Sequence, residues 1–227
     1  MPISCGCGRQ WWCFTDDVTS LPASADRPRG TTKVIEKQPA DFRVARLGID
    51  WDAQLALDPE RDIHSIHLYR IWLEKSGFVE QAMRANPFKS THFVWVDYGC
   101  FREEHAALPA FPPWEPLAMT MPPARMLVLN ISSLDTHADK RIGGTILGGD
   151  RRAWRVWTRI FYRTLAWRHA SGDFVGDDQT TMTVVAERHT DSVCIVQPRT
   201  AFGNAWFHLQ AVLDGKGAEI GYVGSIM

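Results

Sequence analysis

The sequence predicts an α/β domain built on a mostly parallel mixed sheet flanked by helices, and three observations predict it. Short β-branched and aromatic runs alternate along the chain with segments of helical period, the pattern of a parallel sheet covered on both faces. Three of those runs end in acid or glycine, and in such sheets ligands bind beyond the carboxyl ends of the strands. The 227 residues are 45% hydrophobic, enough for one sizeable core, and no interior stretch reads as a linker, so residues 1–227 form a single domain.

Trp11-Trp12-Cys13-Phe14 reads as a strand that stops at Thr15-Asp16-Asp17, where polar residues turn the chain. Thr31 to Ile35 is β-branched enough for a second strand. Gln38 to Pro59 has no clear period. From Asp62, Ile63, Ile66, Leu68, Ile71 and Trp72 recur at helical spacing, continued by Phe78, Val79, Ala82 and Met83. This predicts two consecutive helices, or one broken near Gly77. His92 to Asp97 is the best central strand, and Arg125 to Ser132 is another after a proline-rich stretch. Gly143 to Gly149 is a glycine-bracketed strand. Asp150 caps the longest helix, which runs to about Ala170 with Trp154, Trp157, Phe161 and Leu165 on one face and Arg152, Arg155, Arg159 and Arg163 elsewhere. Asp177 or Asp178 opens a shorter helix to about Glu187, Val193 to Gln197 is the next strand, and a last helix spans about Asn204 to Leu213.

Charge narrows the function classes. With 25 basic and 26 acidic residues the formal net charge is -1, so no global field favours nucleic acid or an anionic membrane, and the helix arginines read as a solvated face. No run approaches a membrane span, and the N-terminus lacks the order of a signal peptide, which makes a soluble, cytoplasmic chain the default expectation. The five cysteines make an odd count. Cys5-Gly6-Cys7 lacks nearby partners for a metal clip, while Cys100 and Cys194 read as buried strand residues in a reducing compartment.

The chemistry-bearing residues stand at strand ends: Thr15-Asp16-Asp17, Asp97-Tyr98-Gly99 and Gly148-Gly149-Asp150. Carboxylates there can hold a hard divalent cation, and glycines let a ligand approach backbone N–H groups, a combination that suits a diphosphate. Turns also place Asp and Gly at strand ends, and capping its helix is an equally sufficient role for Asp150. Arg102 is suited to steadying a phosphate or to plain solvation. Trp95 and Trp206 are candidates to stack on a sugar or base, Trp154 and Trp157 are core, and His208 is structural. The glycines form neither G-x-G-x-x-G nor a P-loop, and no G-x-S-x-G is present.

Leu68-Tyr69-Arg70-Ile71-Trp72-Leu73-Glu74-Lys75, then Asn86-Pro87-Phe88, then Phe93 through Arg102 resembles the HtrL/YibB family. Phe14-Thr15-Asp16, Gly143 to Gly149, Asp177-Asp178-Gln179 and Trp206-Phe207 follow in that family's order. The resemblance implies a glycosyltransferase-like, Rossmann-like fold of the GT-A kind. It implies transfer of a sugar from a nucleotide-sugar donor to a hydroxyl of a glycan acceptor, in polysaccharide biosynthesis. By the same implication Asp97 is the carboxylate for Mn²⁺ or Mg²⁺, and Thr15 and Asp16 meet the ribose or base. Arg102 steadies a phosphate, Gly143, Gly144, Gly148 and Gly149 admit sugar or acceptor, and Asp177 or Asp178 binds sugar hydroxyls or acts as general base. Two departures stand out: Gly99 occupies the second acid position of a D-x-D motif, and only ten residues precede Trp11, so the usual first strand of that fold is expected to be missing. A non-catalytic nucleotide- or carbohydrate-binding relative is the alternative, and hydrolysis of a nucleotide sugar by the same carboxylates is a third reading.

Overall fold

The computed structural model of the chain describes residues 11–15, 32–97, 121–132, 139–198 and 209. These residues form two sheets. Strands β1 (Trp11–Thr15) and β2 (Thr32–Glu36) pair in parallel as a two-stranded sheet. Strands β3 (His92–Val96), β4 (Met126–Asn130), β5 (Ile142–Asp150) and β6 (Val193–Val196) make a four-stranded sheet in the order β3-β5-β4-β6.

This sheet is mixed, but the expectation that it is mostly parallel does not hold for its centre. β5 runs antiparallel to both β3 and β4, and only β4 and β6 are parallel. The reason lies in the connection: residues 131–141 are too few for the helical crossover that a parallel return requires, so β5 doubles back on β4. β5 is bulged as well. Its register against β4 jumps between Leu127↔Gly148 and Leu129↔Gly143, and residues on either side of Thr145 fall out of the strict alternation of faces.

Four helices pack on one face of the sheet: α1 (Trp51–Leu57), α2 (Ile66–Ala85), α3 (Arg151–Ala170) and α4 (Asp178–Arg188). Their core includes Tyr69, Leu73, Phe78, Trp154, Trp157, Phe161 and Met182 against Phe93, Met126, Leu147 and Ile195 of the sheet. On the opposite face Leu127, Leu129, Ile146, Cys194 and Val196 pack with Met121 and Leu209. The helix expected over about Asn204 to Leu213 lies outside the described residues apart from Leu209, which is helical and buried. Among the described residues no helix is long and apolar enough to cross a membrane.

α2 is one continuous helix, not broken at Gly77. Ser65 Oγ accepts from Leu68 N and starts it, which leaves Ile63 outside the helix and exposed. Gly77 passes through unbroken because α3 presses on it: an added Cβ would collide with the Glu74 carboxylate and stand 3.1 Å from the Tyr162 hydroxyl. α3 matches its expected span, with Asp150 Oδ1 accepting from Ala153 N at 2.7 Å. It ends at Gly172, whose φ of +85° closes the last turn as only glycine does readily. Its apolar face is buried and Arg152, Arg155, Arg159 and Arg163 are exposed. α1 falls where no period was legible; at seven residues it is too short to show one.

Candidate functional site

Asp97 follows the last residue of β3. Its backbone N–H donates to Thr145 O at 2.8 Å, one rung past the β3–β5 ladder, which carries it to the bulge of β5. Its side chain is held by two donors: Trp95 Nε1 at 2.7 Å to Oδ1, and Lys75 Nζ at 2.9 Å to Oδ2. Trp95 is itself stacked on Phe78 at 5.7 Å between ring centroids, and Phe78 meets Phe14 of β1 at 4.7 Å. This aromatic series joins the small sheet to the Asp97 centre.

Lys75 stands in the middle of α2, where residues 73–79 are all buried. A helix buried on every side must pair its charges, because an isolated ammonium in an apolar interior is very costly. Beyond Asp97, Lys75 Nζ donates to Gly144 O in the β5 bulge at 2.9 Å and lies 2.8 Å from Asp178 Oδ2 at the start of α4. The Asp178 contact is an ion pair whose angle falls outside hydrogen-bond geometry, so that oxygen has charge compensation without a directed bond. Burial alone would lower the Lys75 pKa, but Asp178 and Asp97 outweigh it and hold it above its ordinary value. Burial pushes the Asp178 carboxyl up to about 6; Lys75 opposes the rise, and the charges of Asp177 and Asp97 add to it. The two carboxylates and one ammonium leave an excess negative charge that favours taking up a proton.

Glu74, beside Lys75, forms a second buried charge pair directed elsewhere. It accepts from Lys37 Nζ at 2.8 Å and from Val44 N at 3.2 Å. Asp177 is occupied by α4: Oδ1 accepts from Gln179 N and Thr180 N, and Oδ2 accepts from Thr180 Oγ1 at 2.9 Å with Lys140 Nζ at 3.3 Å. That is the geometry of an N-cap.

Of the residues singled out by sequence, Asp97, Gly144 and Asp178 come together. The glycines of β5 are explained by internal packing. A Cβ on Gly144 would stand 2.7 Å from Asp178 Oδ2, one on Gly143 3.1 Å from Ile131, one on Gly148 2.9 Å from Met121, and one on Gly149 2.9 Å from both Ala153 and Met126. Thr15 ends β1, opposite Glu36. Asp16, Asp17, Tyr98, Gly99, Cys100, Arg102, Trp206 and His208 lie outside the described residues.

No family model, curated protein or solved structure matches this chain.

The residue that sequence reasoning passed over is Lys75, which appeared there only within a matching run. A legible signal existed: Glu74-Lys75 sits inside a helical stretch otherwise apolar or small from Ile71 to Ala82 save Glu80 and Gln81, and such charges require buried partners.

Among the described residues no three His, Cys, Asp or Glu side chains are grouped to hold a metal ion. The Asp97–Asp178 pair itself does not fit one. An ammonium already stands 2.9 Å and 2.8 Å from the two carboxylates, and a hard divalent cation would need those same oxygens at about 2.0–2.6 Å.

Proposed function

We propose that the chain is a glycosyltransferase that moves a sugar from a nucleotide-sugar donor to a hydroxyl acceptor, with the Asp97 centre as its reacting edge. The observation that carries this reading is the position and access of Asp97. It lies beyond the carboxyl end of β3, where open α/β sheets place ligands. Its side chain is 26% exposed, against 6% for Asp178 and for Asp177. Asp97 is thus the acid of this centre that a ligand can reach.

With Lys75 behind it, the exposed edge of Asp97 is an acceptor and meets a hydrogen-bond donor, such as a sugar or acceptor hydroxyl, in preference to a phosphate oxygen. In the transfer, the acceptor oxygen attacks the anomeric carbon and its proton passes to the Asp97 carboxylate. The bond from that carbon to the diphosphate oxygen breaks, and the nucleoside diphosphate leaves with the electron pair. Trp95 and Lys75 orient the carboxylate throughout.

One observation favours a second reading, a non-catalytic nucleotide- or carbohydrate-binding relative. Both Asp97 oxygens already accept a strong hydrogen bond, which suits a fixed acceptor for hydroxyls better than a proton-accepting base.

A thermal-shift panel of UDP, GDP, CMP and their sugar conjugates, each with EDTA and with Mn²⁺, tests both readings, because selective binding raises apparent stability. Transfer predicts a shift with one nucleotide and its conjugate, release of that nucleotide when a glycan acceptor is supplied (the diphosphate from a UDP or GDP conjugate, CMP from a CMP conjugate), and loss of release in Asp97→Ala. A shift without turnover supports the binding-only reading. No shift with any compound sinks both.

A further inference from the structure

Three elements converge to seat one ammonium. α2 supplies Lys75 from a fully buried turn, α4 supplies Asp178 from its first residue, and β3 supplies Asp97 from just past its end. The bulge of β5 adds the Gly144 carbonyl at 2.9 Å, and a Cβ there would crowd the pair, standing 2.7 Å from Asp178 Oδ2 and 3.0 Å from Lys75 Nζ. The side chain of Lys75 is 5% exposed, so the charge is part of the interior.

We propose that Lys75 is the resident cation of this centre: it fills the place between Asp97 and Asp178 that a divalent ion would take, and the centre takes up no such ion. The geometry requires a choice. The oxygens that approach Nζ at 2.8–2.9 Å are the ones a Mn²⁺ or Mg²⁺ would bind, and bringing a doubly charged ion among them means expelling an ammonium that donates to Asp97 and Gly144 and is charge-paired with Asp178. A lysine is the suitable side chain, because its ammonium is a compact point charge with three donors and meets three separate oxygens, where the planar fork of an arginine would not. This inference concerns the charge of the centre and does not depend on what the centre transfers or binds.

The test uses the full chain, stripped with EDTA, desalted and titrated with Mn²⁺, with the free ion followed by its electron paramagnetic resonance signal. The wild type and Asp97→Asn are expected to give the same titration. Lys75→Met, which keeps the length and removes the charge, is expected to gain one bound Mn²⁺ per chain, and Lys75→Met combined with Asp97→Asn to lose it again. A wild-type site that binds Mn²⁺ and disappears in Asp97→Asn would overturn the proposal, as would a folded Lys75→Met that gains nothing. If Lys75→Met does not fold in EDTA, recovery of its circular dichroism on adding Mn²⁺ supports the proposal, and without such recovery the comparison of wild type with Asp97→Asn decides alone. Nucleotide binding does not enter any of these readouts, so failure here is separate from failure of the sugar-transfer reading.

Discussion

At the residue scale the molecule turns on two adjacent charges of α2. Glu74 and Lys75 are both buried, and each is compensated by groups far away in sequence: Lys37 and Val44 for the first, Asp97, Gly144 and Asp178 for the second. Removing one member of such a set leaves the others charged and dry. Lys75→Ala is therefore expected to cost about 3–5 kcal/mol of stability, seen as a lower urea midpoint, while a surface change such as Arg155→Ala costs little. Asp178 makes a pH prediction. Its carboxyl is raised from 3.8 to about 6 in the fold, so between those values the folded chain keeps a proton that the unfolded chain has lost. Its contribution to stability is thus full below pH 3.8 and is lost as pH rises through about 6. Asp58 and Asp150 act in the opposite sense. Burial opposes their ionisation but hydrogen bonds outweigh it and hold both below 3.8, so their contribution is present above that value and is lost as pH falls through their folded pKa values. In urea midpoints measured across pH, Asp178→Asn should remove the decline between pH 4 and 6 without altering the acid limb; an unchanged decline would assign it to other groups.

At the element scale, local rules and tertiary packing disagree at one point, Gly77. Helix propensity alone makes Gly→Ala stabilising by about 1 kcal/mol. Here the added methyl meets the Glu74 carboxylate, which is pinned by Lys37 and Val44, and approaches the Tyr162 hydroxyl of α3. Gly77→Ala should therefore lower stability by about 1–2 kcal/mol net, measured by thermal unfolding. The same reasoning explains why Gly77, which reads from sequence as a break, sits inside an unbroken helix. Elements with a strong local signature were legible: Asp150 before an amphipathic run marked the start of α3, and the Asp177-Asp178 pair marked that of α4, with Asp177 as the cap in the structure. α1 was not, because seven residues hold fewer than two periods and its anchors are tertiary, with Gln54 bridging to Asp173 O and Val175 N.

At the scale of the whole molecule, β5 is the organising strand. It pairs on both sides, contacts α3 and α4, and is buried at seven of its nine positions. Amide exchange should accordingly be slowest in β5 and β4, and faster in α1, which packs at the margin of the helical layer. Exchange in β5 as fast as in α1 would contradict this account of the core. The centre at Asp97 inherits its position from β5: the bulge presents the Gly144 and Thr145 carbonyls to Lys75 and to Asp97, and an unbulged strand would turn one of them away.

By itself the sequence determined the α/β class, most strand and helix positions, the cap at Asp150, the Asp177-Asp178 pair as the start of α4, and Asp97 as the acid at the end of a strand. Those features are written in periods and in neighbours along the chain, and local chemistry is enough to read them. That the Asp97 strand, read as central, lies at the edge of the described sheet, and that Asp177 is the cap, came from the structure. The antiparallel centre of the sheet, the continuity of α2, the packing role of the β5 glycines and the seating of Lys75 between Asp97 and Asp178 were decided only in three dimensions. Each depends on which distant segments meet and in what register, and a one-residue slip of β3 on β5 or one less bulge would separate the three charges while leaving every local pattern as it is.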